Sequence, residues 1–173
     1  MANNSQLTDD CWRVCYHDGD IDKVRGLLDS GVDINERAPC SGACPLDAAL
    51  HGEHVPLAKF LLEAGANADG IGYGDGTPLM AAVNYQLTGA VTLLLQHGAD
   101  PNLPSPLTGE TPLHIASLRG FANGSTECAE LLLDAGANPN VTTNVDVVTP
   151  SMASGTTVIG ETPLHWAAAF GSQ

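Results

Sequence analysis

Basic side chains are scarce in this chain. Six Lys and Arg stand against twenty Asp and Glu, a net charge of −14, and residues 71–173 hold a single basic side chain, Arg119. Phosphate backbones repel such a surface, which argues against nucleic-acid binding. Anionic membrane attachment is disfavoured for the same reason. No apolar run approaches the ~20 residues that span a bilayer. Met1–Asp10 is polar and acidic, unlike a secretory signal with its basic start and apolar centre. The chain also lacks a phosphate loop, a Gly-x-Ser-x-Gly elbow and a His-Glu-x-x-His helix. Nothing pairs a nucleophile with a base, so the sequence predicts no catalytic residues, no cofactor and no enzyme. Five cysteines, an odd number without a staple framework, place the chain in a reducing compartment, the cytoplasm. Cys11 and Cys15 are four apart, as are Cys40 and Cys44, and four thiolates could in principle hold zinc. The wider spacing differs from a Cys-x-x-Cys knuckle, and no metal site is expected.

What is present is repetition. Gly-Glu-Thr-Pro-Leu-His occurs at Gly109–His114 and again at Gly160–His165, with weaker copies at Cys44–Asp47 and Thr77–Met80. The Pro-Leu pairs begin at 45, 78, 112 and 163. A Leu-Leu pair leading to glycine recurs with Gly31, Gly65, Gly98 and Gly136, spaced by 34, 33 and 38. Two motifs sharing a period near 33 indicate stacked supersecondary units rather than one globular core. Thr111 and Thr162 can cap a first helix. Pro112 and Pro163 fit its first position, where no N–H is needed. Each Leu-Leu ridge marks a second helix, ended by a glycine able to take positive φ. The predicted first helices are Thr8–His17, Pro45–Gly52, Pro78–Tyr85, Pro112–Arg119 and Pro163–Phe170. The predicted second helices are Ile21–Ser30, Val55–Ala64, Thr88–His97 and Thr126–Ala135.

The pattern Thr-Pro-Leu-His-x-Ala, then Leu-Leu-Leu-x-x-Gly-Ala-x-x-Asn, clearest over Thr111–Asn140, resembles the ankyrin repeat. The resemblance implies an all-α fold, a solenoid of stacked helix-turn-helix units with protruding β-hairpin loops, filling residues 1–173 as one domain. Repeats fall near 10–35, 44–69, 77–102 and 111–140, with a partial one at 162–173. It also implies that His114 and His165 are structural, tying their own turn to the next. Asp47 and Met80 replace that histidine in the second and third repeats, and Cys44 replaces the capping threonine of repeat two, so a weaker junction is expected there. Repeat four carries about four extra residues within Phe121–Thr126. The connection 141–161 is longer than the family's turn, and its β-branched runs read as an extended hairpin or as a loop. The fifth repeat lacks its second helix, which would cover Leu164, Ala167, Ala168 and part of Trp166. Repeat one looks like a polar cap, whereas repeat five does not, so continuation past Gln173 is expected.

Ankyrin-like proteins hold other proteins on a concave face, so the resemblance implies a non-catalytic protein–protein interaction module. Its variable positions are the hairpin tips and first-helix ends. Here they supply Tyr73, Tyr85, Leu107, Leu118, Arg119, Ile159 and Phe170 as candidate partner-binding residues, with the aromatic and arginine character of interface anchors. The acidity favours a partner with a basic surface. Two alternatives stay open: an enzyme-inhibitor or immunity-type protein, and the N-terminal targeting region of a larger enzyme.

Overall fold

The computed structural model describes residues 4–123, 126–144 and 160–170, without the side chains of residues 4, 75, 121–123, 169 and 170. Among the described residues there are nine α-helices and no strand. They fall into two compact units, within Met1–Ala99 and Asp100–Gln173. The predicted hairpin over 141–161 lies almost wholly outside the described residues.

In the first unit, α1 (Asn4–Arg13) runs on into a π-helical turn (Val14–Asp18), and α2 (Ile21–Asp29) packs back on both. Two further pairs follow: α3 (Pro45–His51) with α4 (Val55–Glu63), and α5 (Pro78–Asn84) with α6 (Thr88–Gln96). First helices stack on first helices, α1 on α3 and α3 on α5, and α4 stacks on α6. The core between them is made by Cys11, Cys15, Val24, Leu46, Leu50, Leu57, Leu61, Leu79, Val91 and Leu94, all inaccessible to water. Ala48, Ala49 and Ala82 are buried among them, and their size is what lets helix axes come close. The second unit has α7 (Pro112–Asn123) packed against both α8 (Glu127–Asp134) and α9 (Pro163–Phe170). Leu113, Ala116, Leu132 and Trp166 fill its interior.

The helix ends fall where the punctuation put them. Pro45, Pro78, Pro112 and Pro163 open their helices at the first position. Thr77 Oγ1 accepts the Met80 N–H at 3.2 Å, satisfying one of the donors a helix start leaves over. Cys44, in the equivalent place, makes no side-chain cap bond. The second helices close on Gly31, Gly65, Gly98 and Gly136, with φ of 99, 97, 87 and 89°. At Gly65 the N–H donates to the Leu62 carbonyl (3.1 Å) and the next, Ala66, reaches back to Leu61 (2.9 Å), a paired closure that only the left-handed conformation permits. The extra residues of repeat four lengthen α7 to 12 residues, against 7 in α3 and α5.

One expectation, the partial exposure of Trp166, is corrected. The loops expected as β-hairpins form no strand ladder among the described residues. The tips close with few backbone bonds, such as Ala38 N–H to Ala43 (3.0 Å) and Ser105 N–H to Glu110 (2.8 Å), because so few residues span each tip. Trp166, expected to lose part of its cover, is fully buried, with its ring edge-on to His114 at 5.2 Å. Leu164 does stand out, 73% exposed.

Candidate functional site

Successive repeats are joined by side chains that reach backbone groups of the next turn. His114 is buried on α7. Its Nδ1 accepts the Thr111 N–H (3.1 Å) and the Thr111 hydroxyl (2.9 Å), so the ring proton sits on Nε2 and is donated to the Glu161 carbonyl at 2.9 Å. The structural role inferred for this histidine is what these bonds perform. Burial lowers its pKa against a smaller opposing contribution from the Glu161 carbonyl, which keeps the imidazole neutral. His165 holds Thr162 in the same way, at an exposed position. Asparagines add a second tie: Asn35 Oδ1 accepts the Asn67 N–H (2.7 Å), and Asn102 Oδ1 accepts the Asn138 N–H (2.6 Å).

Asp47 occupies the histidine position of its repeat, and the reason given for expecting a weak junction there is reversed. Its buried carboxylate accepts the Tyr73 N–H at 2.8 Å, so the aspartate itself ties its turn to the next. A Cβ on Gly72 would overlap that carboxylate, and glycine is what lets the tip approach. One turn along α3, His51 Nδ1 lies 3.0 Å from the Asp47 carbonyl and 3.3 Å from its Oδ2. Burial acts on His51 most strongly and opposes charging. The hydrogen bond to Asp47 and the attraction of its carboxylate together outweigh it, and the pKa is raised.

Around this pair the first unit presents an aromatic cluster. The ring of His51 meets Tyr73 edge-on at 6.1 Å and Tyr85 at 5.4 Å. Trp12 and Tyr16 stack with centroids 5.2 Å apart and planes inclined by 13°. These side chains surround an open cavity of about 360 Å³ whose lining includes Asp47. Tyr73 is 65% exposed and Tyr85 37%. The structure thus brings together two of the seven candidate residues, Tyr73 and Tyr85, through the ring of His51. Trp12 and Tyr16 were missed. Their four-residue spacing was visible, but not the π turn on which Tyr16 sits.

The other candidates lie in the second unit or outside the described residues. Leu107 is 59% exposed at a tip held by Asn144, which donates its side-chain amide to the Leu107 carbonyl (3.0 Å) and its N–H to Thr108 (2.8 Å). Leu118 and Arg119 are half-buried on α7. Ile159 lies outside the described residues, as does the side chain of Phe170.

No group of histidine, cysteine and carboxylate side chains suited to a metal ion occurs among the described residues. Cys11, Cys15 and Cys44 are buried, while Cys40 is exposed with its N–H on Asp9. The hydrogen bond with Cys11 and burial both push the Cys15 thiol up, away from the thiolate that a metal would need. No described helix is long and apolar enough to cross a membrane.

Helix pairs that carry their caps, glycine stops and side-chain ties at a common period define a repeat protein in which each unit is held by its neighbours. The sequence pattern of ankyrin repeats (3 copies) matches residues 12–105, 74–143 and 104–173, and the chain belongs to the ankyrin-repeat family. Ankyrin repeats are generally non-catalytic protein-interaction modules. Similar proteins include the ankyrin repeat, SAM and basic leucine zipper domain-containing protein 1 of Colobus guereza, 32% identical over 141 residues, 81% of this chain and 27% of that protein. A putative ankyrin repeat protein of Escherichia coli, YahD, is 33% identical over 129 residues, 71% of this chain and 61% of its own length. A putative E3 ubiquitin-protein ligase of Arabidopsis thaliana, XBAT35, is 36% identical over 108 residues, 61% of this chain and 23% of that protein. The chain therefore spans about a quarter of XBAT35 and of the Colobus protein.

Proposed function

We propose that this chain is a non-catalytic adaptor domain that holds a partner protein on the concave face of its repeats. Residues 1–173 act as one binding domain in this reading, with repeats near 10–35, 44–69, 77–102, 111–140 and 162–173. The observation that carries it is the placement of exposed Tyr73 and Tyr85 around one cavity at a hairpin tip and a first-helix end, the positions the family leaves variable. Leu107, Leu118 and Arg119 occupy equivalent positions in the second unit, and Ile159 and Phe170 complete the set by resemblance. Aromatic and arginine side chains dominate the energetics of protein interfaces. With a net charge of −14, a partner with a basic surface is favoured in encounter rate, and nucleic acid is disfavoured. The free thiols suit a reducing cytoplasm.

Affinity capture with mass spectrometry identifies the partner, and calorimetry then measures it against variants. Tyr85→Ala and Arg119→Ala are each expected to weaken binding by about 1–2 kcal/mol while the helical circular dichroism is unchanged. A partner that binds the double variant undiminished shows that another surface is used.

A further inference from the structure

We infer that the aromatic cavity of the first unit is a receptor for one arginine side chain presented by the partner. This rests on the reading of the concave face as a protein-binding surface and specifies what that surface recognises. The cavity is lined by Trp12 and Tyr16 of repeat one, Asp47 and His51 of repeat two, Tyr73 of the tip before repeat three and Tyr85 of repeat three, so it exists only once those repeats have stacked. At about 360 Å³ it lies at the small end of ligand cavities (~300–1,000 Å³), suited to a single side chain rather than a helix. Its chemistry is that of a cation site. Aromatic faces carry negative quadrupoles and attract a guanidinium within about 6 Å of the ring centre. The Asp47 carboxylate supplies a fixed negative charge, held in place by the Tyr73 N–H and by His51. His51 bears its proton on Nδ1, against the Asp47 carbonyl and carboxylate, so that in the neutral ring Nε2 is an acceptor.

Arginine fits better than lysine because the group is planar, stacks on rings and donates in a fork, whereas an ammonium is a compact and strongly hydrated point charge. A purely apolar occupant would leave the buried carboxylate without any gain. The net charge of −14 also draws a basic segment toward the chain from a distance. The π-helical turn at Val14–Asp18 is a second, independent feature of the same place. Such turns are rare and concentrate at functional sites, and this one carries Tyr16.

The test uses the full chain and a short blocked peptide with a single central arginine between glycines, followed by the Trp12 indole N–H signal in nitrogen-15 NMR. Saturable shifts with a Kd of about 1–10 mM are expected, a range reachable by one side chain. The peptides with citrulline or norleucine in place of arginine should bind at least about tenfold more weakly, because citrulline keeps the planar shape and norleucine the apolar stem, both without the charge. Asp47→Asn retains an oxygen to accept the Tyr73 N–H yet removes the charge, and it should weaken the arginine peptide about fivefold or more. Tyr73→Ala, which removes a 65% exposed side chain and keeps the main-chain N–H that Asp47 accepts, should do the same. Equal binding of the citrulline or norleucine peptide, tighter binding of a lysine peptide, or no saturation by about 20 mM arginine peptide overturns the inference. These outcomes are separate from failure of the concave-face reading. A partner lost on the Tyr85→Ala, Arg119→Ala double variant, together with a silent arginine peptide, removes the arginine receptor and leaves the interaction surface standing.

Discussion

Replacing His114 by alanine offers the sharpest test of how the repeats are held together. The side chain is buried and serves three functions at once. Its Nδ1 closes the start of α7 on Thr111, its Nε2–H binds the Glu161 carbonyl, and its ring supports Trp166 at 5.2 Å. Truncation leaves the Thr111 N–H without its partner, a loss of about 1–3 kcal/mol when desolvated, while the Glu161 carbonyl keeps the Thr143 N–H at 3.0 Å. Loss of the aromatic contact adds about 0.5–1.5 kcal/mol. With the Nε2–H bond to the Glu161 carbonyl worth about 0.5–1.5 kcal/mol net, the expected destabilisation is about 2–4 kcal/mol. The chain contains its own control. His165 stands in an identical hexapeptide and makes the same bonds to Thr162, but in an exposed place, so His165→Ala should cost only about 0.5–1 kcal/mol. Urea titration of the full chain, read by circular dichroism, measures both. With a slope of about 1–3 kcal/mol/M, the His114 variant should move the midpoint by about 1–2 M and the other by a small fraction of that. Equal shifts for the two variants, or a loss below about 1 kcal/mol at His114, would refute the reasoning, since burial is what separates them.

Further outcomes follow from the same geometry. The lowered pKa of His114 means that its stabilising contribution is fully present above its unfolded pKa of about 6.5 and is lost as pH falls through the folded value. His51 runs oppositely, its contribution being fully present below about 6.5 and lost as pH rises through its raised folded pKa. Stability against pH should therefore lose its acid-side slope in His114→Ala and its neutral-side slope in His51→Ala, as measured by urea midpoints across the range. Glu53 is exposed and held at φ 60°, so Glu53→Gly relieves left-handed strain and should stabilise by about 0.5–1 kcal/mol after the added unfolded-state entropy. A lower melting temperature for that variant would contradict the assignment. Gly72→Ala places a methyl group into the Asp47 carboxylate and should cost more than about 2 kcal/mol in the same titration, where a neutral outcome would show that the tip can move away.

The helices were legible to within a residue or two at most ends because the chain marks them chemically. Proline opens a helix only at its first turn and glycine closes it by adopting positive φ, so Pro78 and Gly98 fix their ends regardless of the rest of the fold. At α1 no such mark exists, and the helix begins at Asn4 instead of the predicted Thr8. The cavity was only half legible. Tyr73 and Tyr85 could be placed by their positions in the repeat, but Trp12, Tyr16 and His51 join them through stacking of one repeat on the next, which no local pattern records. Asp47 was misjudged for a similar reason. Whether a carboxylate can stand in for an imidazole depends on which group the neighbouring turn offers, and here it offers the N–H of Tyr73 beside a glycine that lets it come close.

The ties made by Asp47, Asn35, Asn102 and His114 terminate on main-chain atoms: the Tyr73, Asn67 and Asn138 amides and the Glu161 carbonyl. Every amino acid but proline supplies the amide, and every one supplies the carbonyl. The tie itself therefore makes no demand on the side chain of the residue that receives it. Apart from close approaches such as Gly72, side chains at the tips can change while the joints beneath them keep their bonds, and the architecture tolerates a changing surface.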